Sequence, residues 1–418
     1  MQKPGLNKKV CLITSGHLSS DPRLCKEALT LSKKGFKVHV IFVQNLTYLL
    51  KVDQAILSKN PSWTSDILTC PKKDFNTIIL RKIPAAVSKL LSIFSFNRVI
   101  LQSSAVLIKN QNYYWQLSKA IKAKADLYIG HDLGALPVII KASKKNSTAC
   151  IFDAEDFHRH EVTDNEDSKE FKITQYLEDK YIPKANFVTA ASPLIAAQYA
   201  RLYSININSI VNVFPQVTVK EKKELTNGLK LFWFSQTIGP GRGLENIILA
   251  LNQLKRCDIS ITILGDLTKP DEAYFNNFFI KHNINTDLIH FKKPILSDEL
   301  IDFSSNFDIG LATEIGTPKN RDICLTNKIF TYIQSGIAVF ASDTAAQQQL
   351  MDSLQHVGVV YKKNDLDDIS TKLLSYLENR SILKTHQQNA LKAGYETFNW
   401  EIESEKFFSV VERALLYR

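Results

Sequence analysis

Apolar residues recur along this chain in two alternating spacings. Residues 9–16, "KVCLITSG", form a short apolar run that breaks at a glycine, as a buried strand does. In "DPRLCKEALTLSKKGF" at 21–36, Leu24, Ala28 and Leu31 recur at helical steps. That spacing predicts an amphipathic helix capped by Asp21, with Pro22 at its first position and a stop at Gly35. "KVHVIFVQ" at 37–44 reads as the next strand. Strand, helix and strand in this order are the first unit of a parallel, doubly wound sheet.

The pattern continues. "DLYIGHD" (126–132), "STACIFDAED" (147–156) and "ANFVTAAS" (185–192) are short strands that run into polar residues, and 207–216 closes the half. A polar, charged stretch at 217–228, "VTVKEKKELTNG", predicts a linker. The alternation then restarts with strands at 229–236, 259–266 and 308–314. Helices follow at 242–255, with Leu244, Ile247, Ile248 and Leu251 on one face, at Asn327, and at 367–379. The expected fold is α/β, two Rossmann-like domains facing each other across a cleft. The domains span 1–216 and 217–395, and a terminal helix over 396–418 crosses back to the first.

Composition is that of a globular chain: 418 residues, 44% hydrophobic and 22% charged. Its charge is uneven. The first 130 residues hold 20 Lys/Arg against 6 Asp/Glu, and the remainder 32 against 36. Such a basic first third points to an anionic partner. The six cysteines are scattered with no C-x-x-C, which fits a reducing compartment. The N-terminus lacks the apolar core of a signal peptide, and no uncharged run reaches membrane-spanning length. A cytoplasmic protein is expected.

Two cations stand where a helix does not favour them. Lys328 lies in the first turn of the helix at Asn327, and Arg242 opens its helix after the flexible "GPG". Cations oppose the helix dipole there, so an anion is expected at both places.

Taken together, "SDPRLCKEALTLSKKGFKVHVI", "ADLYIGHDLGALP", "FDAED", "GPGRGLENII" and "DIGLATE" followed by "TNKIFTYIQSGIAVFASD" resemble glycosyltransferases of the two-Rossmann (GT-B) architecture, most closely the retaining family 4 group. The resemblance spans nearly the whole chain, including "FNWEIESEKFFSVVERAL" at the end. It implies transfer of a sugar from a nucleoside diphosphate donor, UDP- or GDP-linked, to a glycan or lipid-linked acceptor. No cofactor or metal is required. Arg242 and Lys328 become ligands of the donor diphosphate, with Asn327 beside them. Gly16 and His17, ending the first strand, lie near donor phosphate and acceptor. His131 contacts the reacting sugar; a retaining transfer proceeds on one face with the leaving phosphate taking the acceptor's proton, and Glu155 is a carboxylate that could receive that proton instead.

The chain also departs from that group. The family's two glutamates, with seven residues between them, fall at Ile323 and Thr331, so Thr331 is left to meet the ribose with one hydroxyl and Glu314 to approach the sugar. Ser235-Gln236 stands where relatives have Gly-Arg, which puts Gln236 at the donor with one cation fewer. "HRHE" at 158–161 is expected to be an exposed loop rather than a metal site. The basic, helically spaced stretch at 81–101 suits an anionic membrane surface. Peripheral binding at the inner face of the cytoplasmic membrane, in assembly of a bacterial surface polysaccharide, follows as an expectation. The rival readings are a sugar-nucleotide 2-epimerase on the same fold, a non-catalytic basic binding protein and, given Thr331, a catalytically lapsed paralogue. Tyr113, Tyr114 and Trp115 form one cluster rather than an interleaved stacking platform, so no nucleic acid is expected.

Overall fold

The computed structural model describes residues 7–70, 98–218 and 228–417, with residues 98–103 as backbone only. Residues 81–97 of the membrane-facing stretch expected at 81–101 and most of the linker lie outside the described residues. Two compact units are present. One comprises Met1–Ile210, Pro318–Asn320 and Ser404–Arg418, the other Val211–Thr317 and Arg321–Glu403. The last fifteen residues of the chain thus belong with the first unit. No helix among the described residues is long and apolar enough to cross a membrane.

The first unit is built on seven strands: β1 (Lys9–Ile13), β2 (Lys37–Gln44), β3 (Thr64–Thr69), β4 (Leu127–His131), β5 (Ala149–Ala154), β6 (Phe187–Ala190) and β7 (Ile207–Ser209). They pair in parallel in the order β3-β2-β1-β4-β5-β6-β7. The Pro22–Lys33 helix follows β1, with the Asp21 carboxylate accepting from Leu24 N at 2.9 Å, and Gly35 takes φ 92° just beyond it. That left-handed turn suits glycine and ends the helix.

The second unit carries β8 (Leu229–Ile238), β9 (Ile259–Leu267), β10 (Ile289–Lys292), β11 (Ile309–Ala312), β12 (Ala338–Ser342) and β13 (Gly358–Tyr361). Their order is β10-β9-β8-β11-β12-β13, again parallel throughout. In both sheets the order reverses beside the first strand, between β1 and β4 and between β8 and β11. Parallel sheets bind ligands at the carboxyl ends of the strands flanking such a reversal. β3 and β10 are outer strands with exposed or half-buried side chains, so they lack the apolar runs that mark the central ones.

One contact fixes the height of the Asn327–Gln334 helix above β11. Tyr332 is fully buried, and its hydroxyl donates to Leu311 O at 3.1 Å. A Cβ placed on Gly310 would come within 2.1 Å of the Tyr332 ring. Gly310→Ala is therefore expected to lower unfolding free energy by about 1–3 kcal/mol, read by denaturant melting. An unchanged midpoint would mean that the ring and strand do not meet this closely.

Candidate active site

A pocket of about 350 Å³ opens in the first unit at the carboxyl ends of β1, β4 and β5. Its lining is acidic: Asp21, Asp132, Glu155, Asp156 and Glu161 all face it. The excess of base in the first 130 residues is thus absent from this wall. Lys109, which also lines it, pairs with Glu170, and His158 lies 2.9 Å from Glu161. Gly16 borders the pocket, and its carbonyl accepts from Val43 N at 2.9 Å. Asp132 holds a left-handed φ of 64° because its carboxylate is fully used. It accepts from Ser15 N at 2.7 Å, Ser15 Oγ at 2.8 Å and Ala135 N at 3.0 Å.

Behind the pocket lies a buried ion network. Arg23, fully buried, grips Asp153 on β5 with Nε and with Nη2 at 2.9 Å, and gives Nη1 to Ile210 O at 2.6 Å. Thr189 donates to the same carboxylate. The His131 ring sits at the end of β4. Its Nδ1 lies 3.3 Å from Glu155 Oε1, 3.4 Å from Asp153 Oδ2 and 3.9 Å from Asp21 Oδ1, and its Nε2 lies 3.2 Å from Glu27 Oε2. Burial opposes a charge on the ring, yet Asp21 and Glu27, joined by Asp153 and Glu155, hold it well above the ordinary histidine value. Burial would raise Asp153, but Arg23 and His131 hold it far below the carboxylate range. Glu155 is pushed up to about 7 by burial and by Asp21, against the pull of His131.

Several expectations change here. His131 has no exposed surface, so its ring does not contact a sugar; the pocket wall in front of it is Glu155, whose side chain is 31% exposed. His17 is buried, and both ring nitrogens are taken: Nδ1 donates to Asp53 at 2.7 Å while Nε2 accepts Asn45 N and Leu46 N at 2.7 and 2.8 Å. It orders the loop after β2 and has no donor left for a phosphate. "HRHE" is no exposed loop, since His158 and Arg159 are buried and Arg159 pairs with Glu178 and Asp179. Two groups, Asp21–His131–Glu155 and Glu27–His131–Asp153, bring ligand-type atoms within 4.8 Å of one another. Arg23 already compensates Asp153, and the surrounding acids favour a charged ring, so we read them as an ion-pair network.

In the second unit the cations converge on β8 and β11. Lys328 Nζ lies 2.8 Å from Glu314 Oε1 and over the Trp233 ring at 5.7 Å, with the two charged side chains 13% and 12% exposed. Burial alone would raise the Glu314 carboxyl, but Lys328, with Arg321 and the Thr326 hydroxyl, holds it below its usual range. Arg242 is steadied by Ser235 Oγ at 3.0 Å and Thr237 Oγ1 at 3.1 Å. Ser235 thus supports that cation, whereas Gln236 is exposed within the irregular register of β8. Thr313 ties the loop down: its hydroxyl donates to Arg242 O at 2.6 Å and accepts from Trp233 Nε1 at 3.0 Å. Gly243, at φ 77°, leaves room for this, since a Cβ there would meet Thr313 O at 2.5 Å. Asn327, half-buried, opens the helix that carries Lys328.

No protein-family profile matches the chain, and no curated protein matches it in sequence. Solved structures do match. HepE of Anabaena, in complex with UDP and glucose, superposes with a TM-score of 0.66 at 12% identity over 97% of this chain and 100% of its own. Sucrose-phosphate synthase of Thermosynechococcus elongatus gives 0.66 and 12% over 97% and 98%. A putative UDP-N-acetylglucosamine 2-epimerase of Listeria monocytogenes gives 0.59 and 10% over 97% and 96%. The fold is that of the GT-B glycosyltransferases. At these identities the likeness speaks for fold alone.

Sequence reasoning missed Glu27 and Asp153 as partners of Arg23 and His131. The available signal was Arg23 and Glu27 four apart on the face that carries Leu24, Ala28 and Leu31. Thr331 also differs from expectation. It is fully buried, and its hydroxyl donates back to Asn327 O at 2.9 Å, so it offers nothing to a ribose. Thr331→Glu is accordingly expected to bury an uncompensated carboxylate and to cost about 3–5 kcal/mol of stability. Thermal melting with and without UDP checks this: a variant as stable as wild type and tighter in nucleotide binding would return the position to the donor site.

Proposed function

We propose that the protein is a glycosyltransferase that moves a sugar from a UDP- or GDP-sugar to a glycan or lipid-linked acceptor, with retention, in bacterial surface polysaccharide assembly. The observation that carries this reading is the pair Arg242 and Lys328 at the carboxyl ends of β8 and β11, in a chain with the fold of enzymes solved with UDP. As the bond to the sugar breaks, its electron pair leaves with the diphosphate. Arg242, Lys328 and the free N–H groups of the Asn327–Gln334 helix then stabilise the added charge. Glu314 keeps Lys328 ordered beforehand.

The acidic pocket of the first unit receives the acceptor. Carboxylates accept hydrogen bonds from hydroxyls and repel phosphate, so the hydroxyl-bearing end of the acceptor enters and any anionic lipid portion stays outside. Glu155 takes the proton of the attacking hydroxyl as oxygen bonds to the anomeric carbon. His131 acts through Glu155 as a positioning residue. Peripheral contact with anionic lipid at the inner face of the cytoplasmic membrane would use the basic excess of the first 130 residues.

The reading is tested by incubating the protein with UDP- and GDP-sugars and following nucleoside diphosphate release with and without glycan acceptors. Lys328→Ala and Arg242→Ala are each expected to slow transfer by on the order of 10²-fold. Wild-type rates in both variants would remove these cations from the site. An altered sugar formed without any acceptor would favour the epimerase reading, as the likeness to the Listeria structure allows. Because the base must be ionised, kcat/KM is expected to rise with pH through about 7, the value to which Glu155 is pushed. A profile flat across that range would dismiss Glu155 as the base.

A further inference from the structure

Glu27 is the least accounted-for group in the first unit. It lies on the Pro22–Lys33 helix, fully buried, and neither carboxyl oxygen has a hydrogen-bond partner. Its neighbours are His131 Nε2, 3.2 Å from Oε2, and Arg23 Nε, 3.7 Å from Oε1. Nε2 of His131 likewise lacks a hydrogen-bond partner. On the far side of the ring, Nδ1 faces Glu155, the carboxylate exposed in the pocket. The ring therefore stands between one sealed carboxyl and one working carboxyl.

The charges around it decide its state. Asp21, Glu27, Asp153 and Glu155 surround the ring. Against them stand Arg23 and, half-buried on the same helix, Lys26, whose ammonium burial lowers to about 7. Asp132, next in the chain, turns its carboxylate to Ser15. Arg23 is committed to Asp153 by two nitrogens and reaches Glu27 only at 3.7 Å, so it compensates Glu27 in part and the nearer His131 ring at 3.2 Å supplies the rest. An unpaired buried carboxylate is costly, and so is a lone buried imidazolium. Together they relieve one another.

We propose that Glu27 is a positioning residue that keeps His131 protonated on both nitrogens, so that Nδ1–H always points at Glu155. Without Glu27 the ring can carry its single proton on Nε2 and present a lone pair to Glu155, which then loses both a donor and a positive neighbour. The logic is that of a buried acid stabilising the imidazolium beside it. It rests on the reading of Glu155 as the acceptor's base, but the state of the ring can be measured without substrate.

Nitrogen NMR of imidazole-labelled protein provides that measurement. In the wild type both His131 nitrogens are expected to stay protonated between about pH 6 and 8, where an ordinary ring near 6.5 would deprotonate. A singly protonated ring in that window overturns the proposal outright. In Glu27→Gln, close in shape, the ring is expected to titrate lower by on the order of one pH unit or more, and the rise of kcat/KM to move to higher pH by a similar amount. An unchanged His131 titration in the folded variant also overturns it. If the NMR results hold and no sugar transfer is found with any donor, the proposed function fails while the role of Glu27 toward His131 stands.

Discussion

The buried pair between Arg23 and Asp153 is the constraint on which the first unit depends. It links the first helix to the middle of the sheet, and it does so at the carboxyl end of β5, where the chain must also present Glu155. Removing either member would leave an uncompensated charge with no water near it, a larger penalty than the pair's own net worth. The pair also sets the sign of its surroundings. With Arg23 held chiefly by Asp153 and reaching Glu27 at 3.7 Å, the His131 ring is the cation nearest to Glu155. Burial raises the carboxyls of Asp21, Glu27 and Glu155, and these acids in turn raise the histidine.

The second unit meets an electrostatic problem of the opposite kind. Lys328 and Arg242 sit where helix ends disfavour cations, and each is restrained by neutral or single-charge partners: Glu314 and the Trp233 face for one, two hydroxyls for the other. Such restraint would limit the side-chain entropy lost on binding the anion proposed for this place. Thr313 couples the two positions, because one hydroxyl joins the Arg242 backbone to the indole under Lys328.

Much of this was legible in the chain. The β/α alternation, the Asp21 cap and the stop at Gly35 all lie in short sequence windows, and the structure has them. Arg242 and Lys328 could be picked out because each contradicts its own helix. What escaped was settled at long range. Arg23 and Glu27 gain their partners only when β4 and β5 bring His131 and Asp153 to them. His17 ends a strand where a ligand contact was expected, but Asp53 and two loop amides from after β2 claim it. Thr331 aligned with a ribose contact, yet a short polar side chain on a buried helix face satisfies itself on the preceding turn. The outer strands β3 and β10 were invisible because they lack an apolar run: most of their exposed positions are polar.

The ring of Tyr332 against Gly310 bears on how this chain can change over time. The two residues share one volume, an absent side chain filled by a large flat one. Neither can vary alone: growth at one must be matched by shrinkage at the other, and a smaller ring would let the Lys328 helix settle toward the sheet. Among descendants of this sequence, the spacing between cation and strand would be inherited as a pair of sites, and the pair would drift together or not at all.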